Sequence, residues 1–542
     1  MVWVTRILVG LTVFLSSGLL VQADSSCFDC TCYGGYYTNK SYFSDKIGWF
    51  QSGTYLHAAL FRIGVVDRCS GGWQGALQLV PFFGQTTDHS SNELARWFGY
   101  NHKGVGACPI VFGEATVDNA GQILAQGCDL DARHFNVRTV NGTFKSLVSF
   151  APQEKFAGLG IDWKQALWRN DDDTHRWWFE LTAPLVQIRH RMRLWEYAQN
   201  RGGGVHDGIG VDEDAYVGTM SEAFMQPGWF YGRIAPCGGL CGTAADDMTR
   251  TRFADAEVKI GYNNVLMDCA QLESFVGVVL PTGNKPEARY VYEAVVGNGG
   301  HAGITFGTEL GFKLYDSPWG QLGWFIALEG RYLFANFQMR SFDLVGRPWS
   351  RYQAMFATEK YARDALAKAE GADGNLTHGI NLMTRCVEVH PRGQFNLVSG
   401  WEWAGEHWVA EAGYGFYARQ AERITPNWTE GPVLAARVFD AEPSSLAPAR
   451  TMRDPMKLAN EYFDKDRFDT YYDLLKIKEC DVNWTSASHP GVVSNTLYAS
   501  GGYKWDECEY PALLAVGAAW DYAFSNTAMH KITLFGKVGV SF

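Results

Sequence analysis

Apolar residues return at every second position in many separate stretches of this chain. In 530–542, HKITLFGKVGVSF, the row Ile532, Leu534, Gly536, Val538, Val540 and Phe542 is apolar or small, while Lys531, Thr533, Phe535, Lys537, Gly539 and Ser541 form the opposite face. A period of two makes an extended strand with unlike faces. The same alternation sets Ala157, Leu159, Ile161 and Trp163 against Gly158, Gly160, Asp162 and Lys164, and Trp177, Phe179, Leu181 and Ala183 against Arg176, Trp178, Glu180 and Thr182. It sets Ala256, Val258, Ile260 and Tyr262 against Asp255, Glu257, Lys259 and Gly261. Further rows start at Leu272, Ile304, Trp324, Phe395, Trp408, Leu497 and Leu513. Two more strands are expected over 55–63 and 73–83. The total is about 12, within a range of roughly 10 to 16, and makes the chain all-β.

The connections sort by length. Short ones follow Trp168, Asn263, Asp316, Trp403 and Trp505, and long ones follow Phe83, Arg189, Pro281, Phe337 and Arg419. Tight turns at one end and long loops at the other characterise a membrane barrel, whereas a soluble sandwich has no reason to sort its loops. Within the long connections, Asn141-Gly142 predicts a hairpin of 135–140 with 143–150, because both residues accept positive φ. Helical pieces are expected at 193–199, 347–372 and 457–475, where Ala, Lys, Glu and other helix formers gather.

The apolar row that ends in Phe542, on a chain opening with an export-type segment, resembles the outer-membrane β-barrel proteins of Gram-negative bacteria, whose closing strand typically ends in Phe. A second resemblance rests on FADAEVKIGY (253–262), a short turn and VGVVLPTG (276–283). That order is similar to outer-membrane transporters of hydrophobic or aromatic compounds akin to the phenol meta-pathway family, over some thirty residues. The resemblance implies a single antiparallel transmembrane barrel with both termini periplasmic. It also implies Phe542 as a C-terminal insertion signal read by the barrel-assembly machinery, with outer-membrane lipid as a partner. The competing architecture is a secreted β-sandwich closed by the same strand.

Composition agrees with exported β structure. Charged residues are 19% and aromatics 14%, with 59 Gly; such a chain has the aromatics that disorder lacks. Residues 1–23 hold one basic residue, an apolar run over 7–20, and small Val21 and Ala23 before Asp24, the outline of a cleaved signal peptide. Residues 24–52 form a Cys-containing segment, and the barrel is expected over 53–542. The net charge of −11 and the lack of a long basic run argue against a nucleic-acid partner. All 12 cysteines lie beyond the signal segment, among them Cys27, Cys30 and Cys32 in SCFDCTC and Cys237 and Cys241 in CGGLC. Export favours disulfides or free thiols there over a structural metal, and no metal site or cofactor is expected.

If the apolar rows face lipid, the alternating charges face a lumen. These are Asp162, Lys164, Arg176, Glu180, Glu257, Lys259, Glu309, Lys313, Glu329, Arg331, Glu402, Glu411, Arg419, Lys504, Asp521, Lys531 and Lys537, with Asp255 and Glu273 beside them. A Lys or Arg in hydrocarbon near the midplane costs roughly 2–4 kcal/mol, so charges confined to one register are informative. Ten acidic groups against nine basic ones give little basis for ion selectivity. Phe156, Trp178, Phe325 and Tyr417 share that register and would line an apolar path. No catalytic motif of the GxSxG, HExxH or phosphate-loop kind is present, and the histidines, among them His190, His301, His390 and His489, read as loop or interface residues. The leading expectation is therefore a porin-like outer-membrane channel for passive diffusion or uptake of small solutes, not an enzyme, with a possible homo-oligomer. The alternatives are a structural or adhesive barrel with a plugged lumen, and a soluble secreted β-rich binding protein.

Overall fold

A computed structural model describes, apart from short interruptions, residues 75–94, 110–137, 144–200, 217–234, 248–361, 376–434, 476–522 and 529–542. The largest sheet contains 14 strand segments. In chain order these are β1 (Gly75–Thr86), β2 (Gln153–Arg169), β3 (His175–Thr182), β4 (Leu185–Arg191), β5 (Thr249–Phe253), β6 (Ala256–Met267) and β7 (Ala270–Leu280). There follow β8 (Gly303–Ser317), β9 (Gly320–Leu333), β10 (Arg392–Ala404), β11 (Trp408–Arg419), β12 (Val492–Trp505), β13 (Ala512–Tyr522) and β14 (Lys531–Ser541).

The sheet closes on itself. β1 pairs antiparallel with β14 on one side, Ala76 opposite Ser541, and with β2 on the other, Leu79 opposite Ile161. Gly75 and Phe542 exchange backbone hydrogen bonds of 2.8 and 2.9 Å, which seals the seam at the short-turn end. The long β2 pairs with β3 along one half and with β4 along the other, so β3 and β4 run end to end as one stave. β5 and β6 do the same beside them. The 14 segments, less two such joins, make a closed antiparallel barrel of 12 staves. The joins fall at Ala183-Pro184 and Ala254-Asp255, where Ala254 N–H donates to Pro184 O at 2.8 Å and Asp255 takes a φ of 36°. Proline has no N–H for the ladder, which breaks the stave at that point.

The apolar rows face outward. Val276, Val278, Val516, Leu534 and Val538 are 43–68% exposed, while their sequence neighbours Lys537, Phe535 and Ala515 are nearly inaccessible. A belt of this size around a monomer exceeds any apolar patch a soluble protein keeps in water, and lipid is the medium that accepts it. Trp168, Trp177, Trp403, Trp408 and Trp505 stand exposed near the short turns and form one aromatic girdle. Among the described residues no helix is long and apolar enough to cross a membrane.

The long connections pack into a cap at the other end. Its core gathers Phe112, Phe135, Phe224, Trp229, Tyr292, Trp349 and Tyr352 from four connections. A second unit joins the strands Asn336–Ser341, Thr384–His390 and Arg423–Thr425 around Phe342, Met383 and Val389. Several sequence expectations change here. Lys145–Ser149 does not fold back on 135–140 but pairs with Trp195–Asn200 and Ile110–Gly113, and Ala132–Phe135 is a 3-10 turn. The expected helix at 193–199 is thus largely strand, held by its partner across the sheet. Within 347–372, the described residues include a 3-10 turn, Ser350–Tyr352, a strand, Ala354–Phe356, and helical residues at 359–361, so the expected helix is met only in that last part. The signal segment, the strand at 55–63, the Asn141-Gly142 turn and the helix at 457–475 lie outside the described residues.

Candidate functional site

The barrel interior is built by the inward register of the staves. On the wall formed by β2, β3, β6, β7 and β9, Lys259 Nζ lies 3.1 Å from Glu180 Oε1 and 3.3 Å from Glu257 Oε2. Arg331 donates to Glu257 and stands 3.9 Å from Glu329, which also accepts from Thr305 at 3.1 Å. Lys164 donates to Glu273 at 2.7 Å and rests 4.0 Å above the Trp178 ring. On the opposite wall Lys537 donates to Glu411 at 2.8 Å, and Thr496 donates to Asp521.

Two carboxylate pairs sit directly across the ladder, Glu273 opposite Glu309 and Glu402 opposite Glu411. Like charges there repel, and the lysines on Glu273 and Glu411 offset that repulsion. Lys504 and Arg419 are buried on β12 and β11, Asp162 and Arg176 are half-buried on β2 and β3, and Lys313 pairs with Asp316 at 2.6 Å beside the short turn. Phe82, Phe156, Phe325, Tyr498 and Phe535 form an aromatic layer between these groups. Lys259, Glu257, Arg331 and Glu329 are only 2–3% exposed, so at mid-height this wall packs charge against charge.

Above this layer the chain itself enters the barrel. After Leu280 the segment 281–302 turns inward, and Tyr290 to Val296 are at most 5% exposed. Ala288 and Tyr292 adopt left-handed backbone, φ 56° and 62°, as do Gly297, Gly299 and Gly300. A Cβ at Gly297 would lie 2.7 Å from the Asp255 carboxylate, so only glycine lets the segment approach the stave break, where Asn298 N–H donates to Asp255. The Tyr292 ring stacks on His190 of β4 with centroids 4.1 Å apart. His190 Nδ1 lies 3.0 Å from Tyr292 O and 3.1 Å from Glu293 O, and its Nε2 lies 2.7 Å from Glu154 Oε2. Lys531 Nζ forms an ion pair with the other Glu154 oxygen at 2.9 Å. Both ring nitrogens therefore face oxygen acceptors.

The same segment is held from the cap. Gly232 N–H donates to Ala288 O at 2.9 Å, and Val291 N–H donates to Arg233 O at 2.9 Å. Burial pushes the Glu293 carboxyl up to about 7, with the nearby Glu287 carboxylate adding to the rise. Burial also pulls His301 down to about 4, where it bonds Phe334 O and Gln338. In the second cap unit burial opposes the charge of Glu422, but Arg340 and His489 outweigh it and bring its carboxyl down to about 2.

Glu154, Tyr292 and the role of His190 were not visible in the sequence. The apolar row that marks β2 starts at Ala157, so the alternation carrying Glu154 inward lies one step before it. His190 and Tyr292 are 102 positions apart, and no local period joins them.

No family model matches the chain, and no curated protein matches it. Among solved structures, an outer membrane channel from Pseudomonas putida F1 is 7% identical, with 88% of this chain and 98% of that one covered at a TM-score of 0.36. A Pseudomonas aeruginosa FadL homologue is 10% identical over 93% and 98% of the two chains, at 0.30. The translocator domain of the autotransporter NalP from Neisseria meningitidis is 8% identical over 88% and 90%, at 0.28. Likenesses this distant are a matter of barrel architecture alone.

Proposed function

We propose that this chain is an outer-membrane channel for small solutes, closed in the conformation described here by the inserted segment 281–302 and opened when that segment leaves its seat. The observation that carries the reading is how the segment is held. Its contacts to the wall combine a stacked ring and hydrogen bonds at His190 and Asp255 with two small apolar side chains, Ala294 and Val296, packed among Val80, Phe156, Val186 and Ile188. The apolar part of that seat is small, and its polar contacts exchange readily for water once the segment lifts. The cleft that release would open is lined by the aromatic layer and then by mixed charges, which suits small solutes with both apolar and polar parts. Long loops belong to the external side, so entry would be from outside.

A second reading has its own observation. The mid-height ion pairs are almost inaccessible, which suits a structural barrel that never conducts. Planar-bilayer recording of the full chain beside a variant with 283–300 replaced by a short Gly/Ser linker separates the two. Rare, brief steps from the intact chain and long openings from the variant support the channel. A membrane sealed at all voltages with both proteins contradicts it and leaves the structural barrel.

A further inference from the structure

On the outer wall at the long-loop end, the alternation that buries Glu154, Ile188, His190 and Met192 turns Lys155, Arg189, Arg191 and Arg193 outward. Lys155 stands directly opposite Arg189 across the β2–β4 ladder, and Gln153 stands opposite Arg191. Side chains so paired lie about 5 Å apart at Cβ, where two cations repel. Among the described residues no ion pair joins Lys155, Arg189 or Arg191 to a carboxylate, and Arg193 meets only Asp88, at 4.0 Å, whose side chain is 98% exposed. The facing carboxylates of the barrel interior, by contrast, each have a lysine on one member of the pair.

We infer that this row binds the phosphate of a lipid headgroup in the leaflet surrounding the long-loop end. Position selects the source. Just below the row the outward residues are Ala157, Leu159, Leu185 and Phe253, the upper edge of the lipid-facing belt. Just above it Trp195 and Tyr197 are 54% and 58% exposed, amphipathic rings suited to headgroup depth. Long basic side chains at that height bury their stems along acyl chains and lift their charges to the headgroups. Guanidinium forks match phosphate oxygens in pairs, and a doubly charged phosphate between Lys155 and Arg189 converts their repulsion into two attractions. A solute on its way through the lumen would not meet this face.

The test uses the full chain in nanodiscs, with native mass spectrometry or lipid exchange as readout. The lipids are a phosphorylated glycolipid and its dephosphorylated counterpart with the same acyl chains. The site predicts retention of the phosphorylated lipid at least about tenfold better, loss of that preference in a Lys155→Gln/Arg189→Gln/Arg191→Gln variant, and no loss in Lys145→Gln on the cap. Heat-modifiable gel migration establishes that each variant is folded, and the single Arg189→Gln change, expected to lose part of the preference, serves if the triple variant does not fold. Equal retention of the two lipids, or an unchanged preference in the folded variant, overturns the inference. Displacement of the lipid by millimolar inorganic phosphate overturns the lipid source.

Discussion

The imidazole of His190 lies flat on the ring of Tyr292, the planes 6° apart, and so joins the barrel wall to a segment entering from the cap. In the proposed channel this contact lies between the fixed wall and the segment that would leave its seat. Replacing His190 by Ala removes a stack and a hydrogen bond to the Glu154 carboxylate, worth about 1.5–3 kcal/mol. The released fraction should rise roughly 10- to 100-fold, seen as more frequent openings in planar bilayers and faster proteolysis within 281–302. His190→Phe, which keeps the stack alone, should fall between the two.

The seat should also respond to pH through Glu293. Its carboxyl is held near 7 when the segment is seated, above its ordinary 4.5. A group with a raised seated value stabilises the seated state fully below about 4.5 and loses that contribution as pH rises through about 7. The difference amounts to roughly 3 kcal/mol. Protection of 281–302 from protease should therefore weaken as pH rises from about 4.5 through about 7, level off above that, and stay level throughout in Glu293→Gln.

Much of the barrel was legible in the chain because a stave is a local object. The rows from Ile532 to Phe542 and from Ala157 to Trp163 show their two faces without help from a partner, and loop length sorts by parity along one dimension. The cap was not legible. Residues 195–200 carry Ala, Gln and Glu and read as helix, yet Tyr197 pairs with Leu147, so tertiary pairing overrides propensity. The LPTG stretch marks where β7 ends, but its inward turn depends on Asp255, His190 and residues 232–233, none of which is near it in sequence.

The interior ion pairs should matter more than surface ones. Lys259→Met leaves Glu180 and Glu257 without their shared cation, and breaking one side of a buried pair costs about 3–5 kcal/mol. The midpoint of heat-modifiable gel migration should drop accordingly. Lys313→Met, whose side chain is 40% exposed beside Asp316, should change that midpoint little.

An outward position should be just as intolerant of charge. Val276, 57% exposed in the middle of β7, faces Ile260 and Phe306 across its two ladders. Val276→Arg should cost about 2–4 kcal/mol in folding into phospholipid vesicles. Val276→Leu should be close to neutral, as the fraction of heat-modifiable protein reports.

Lipid contact along the apolar rows underlies all of these expectations, and spin labels report it directly. Single labels at Val516 and Val538, compared with labels at their inward neighbours Ala515 and Lys537, measure collision with oxygen, which dissolves in acyl chains, and with a water-soluble nickel chelate. The barrel predicts strong oxygen and weak chelate relaxation at Val516 and Val538 in vesicles, with low oxygen access at the two inward sites. Labels at Val516 and Val538 shielded from oxygen as fully as the inward ones would place those rows against protein and contradict a transmembrane barrel.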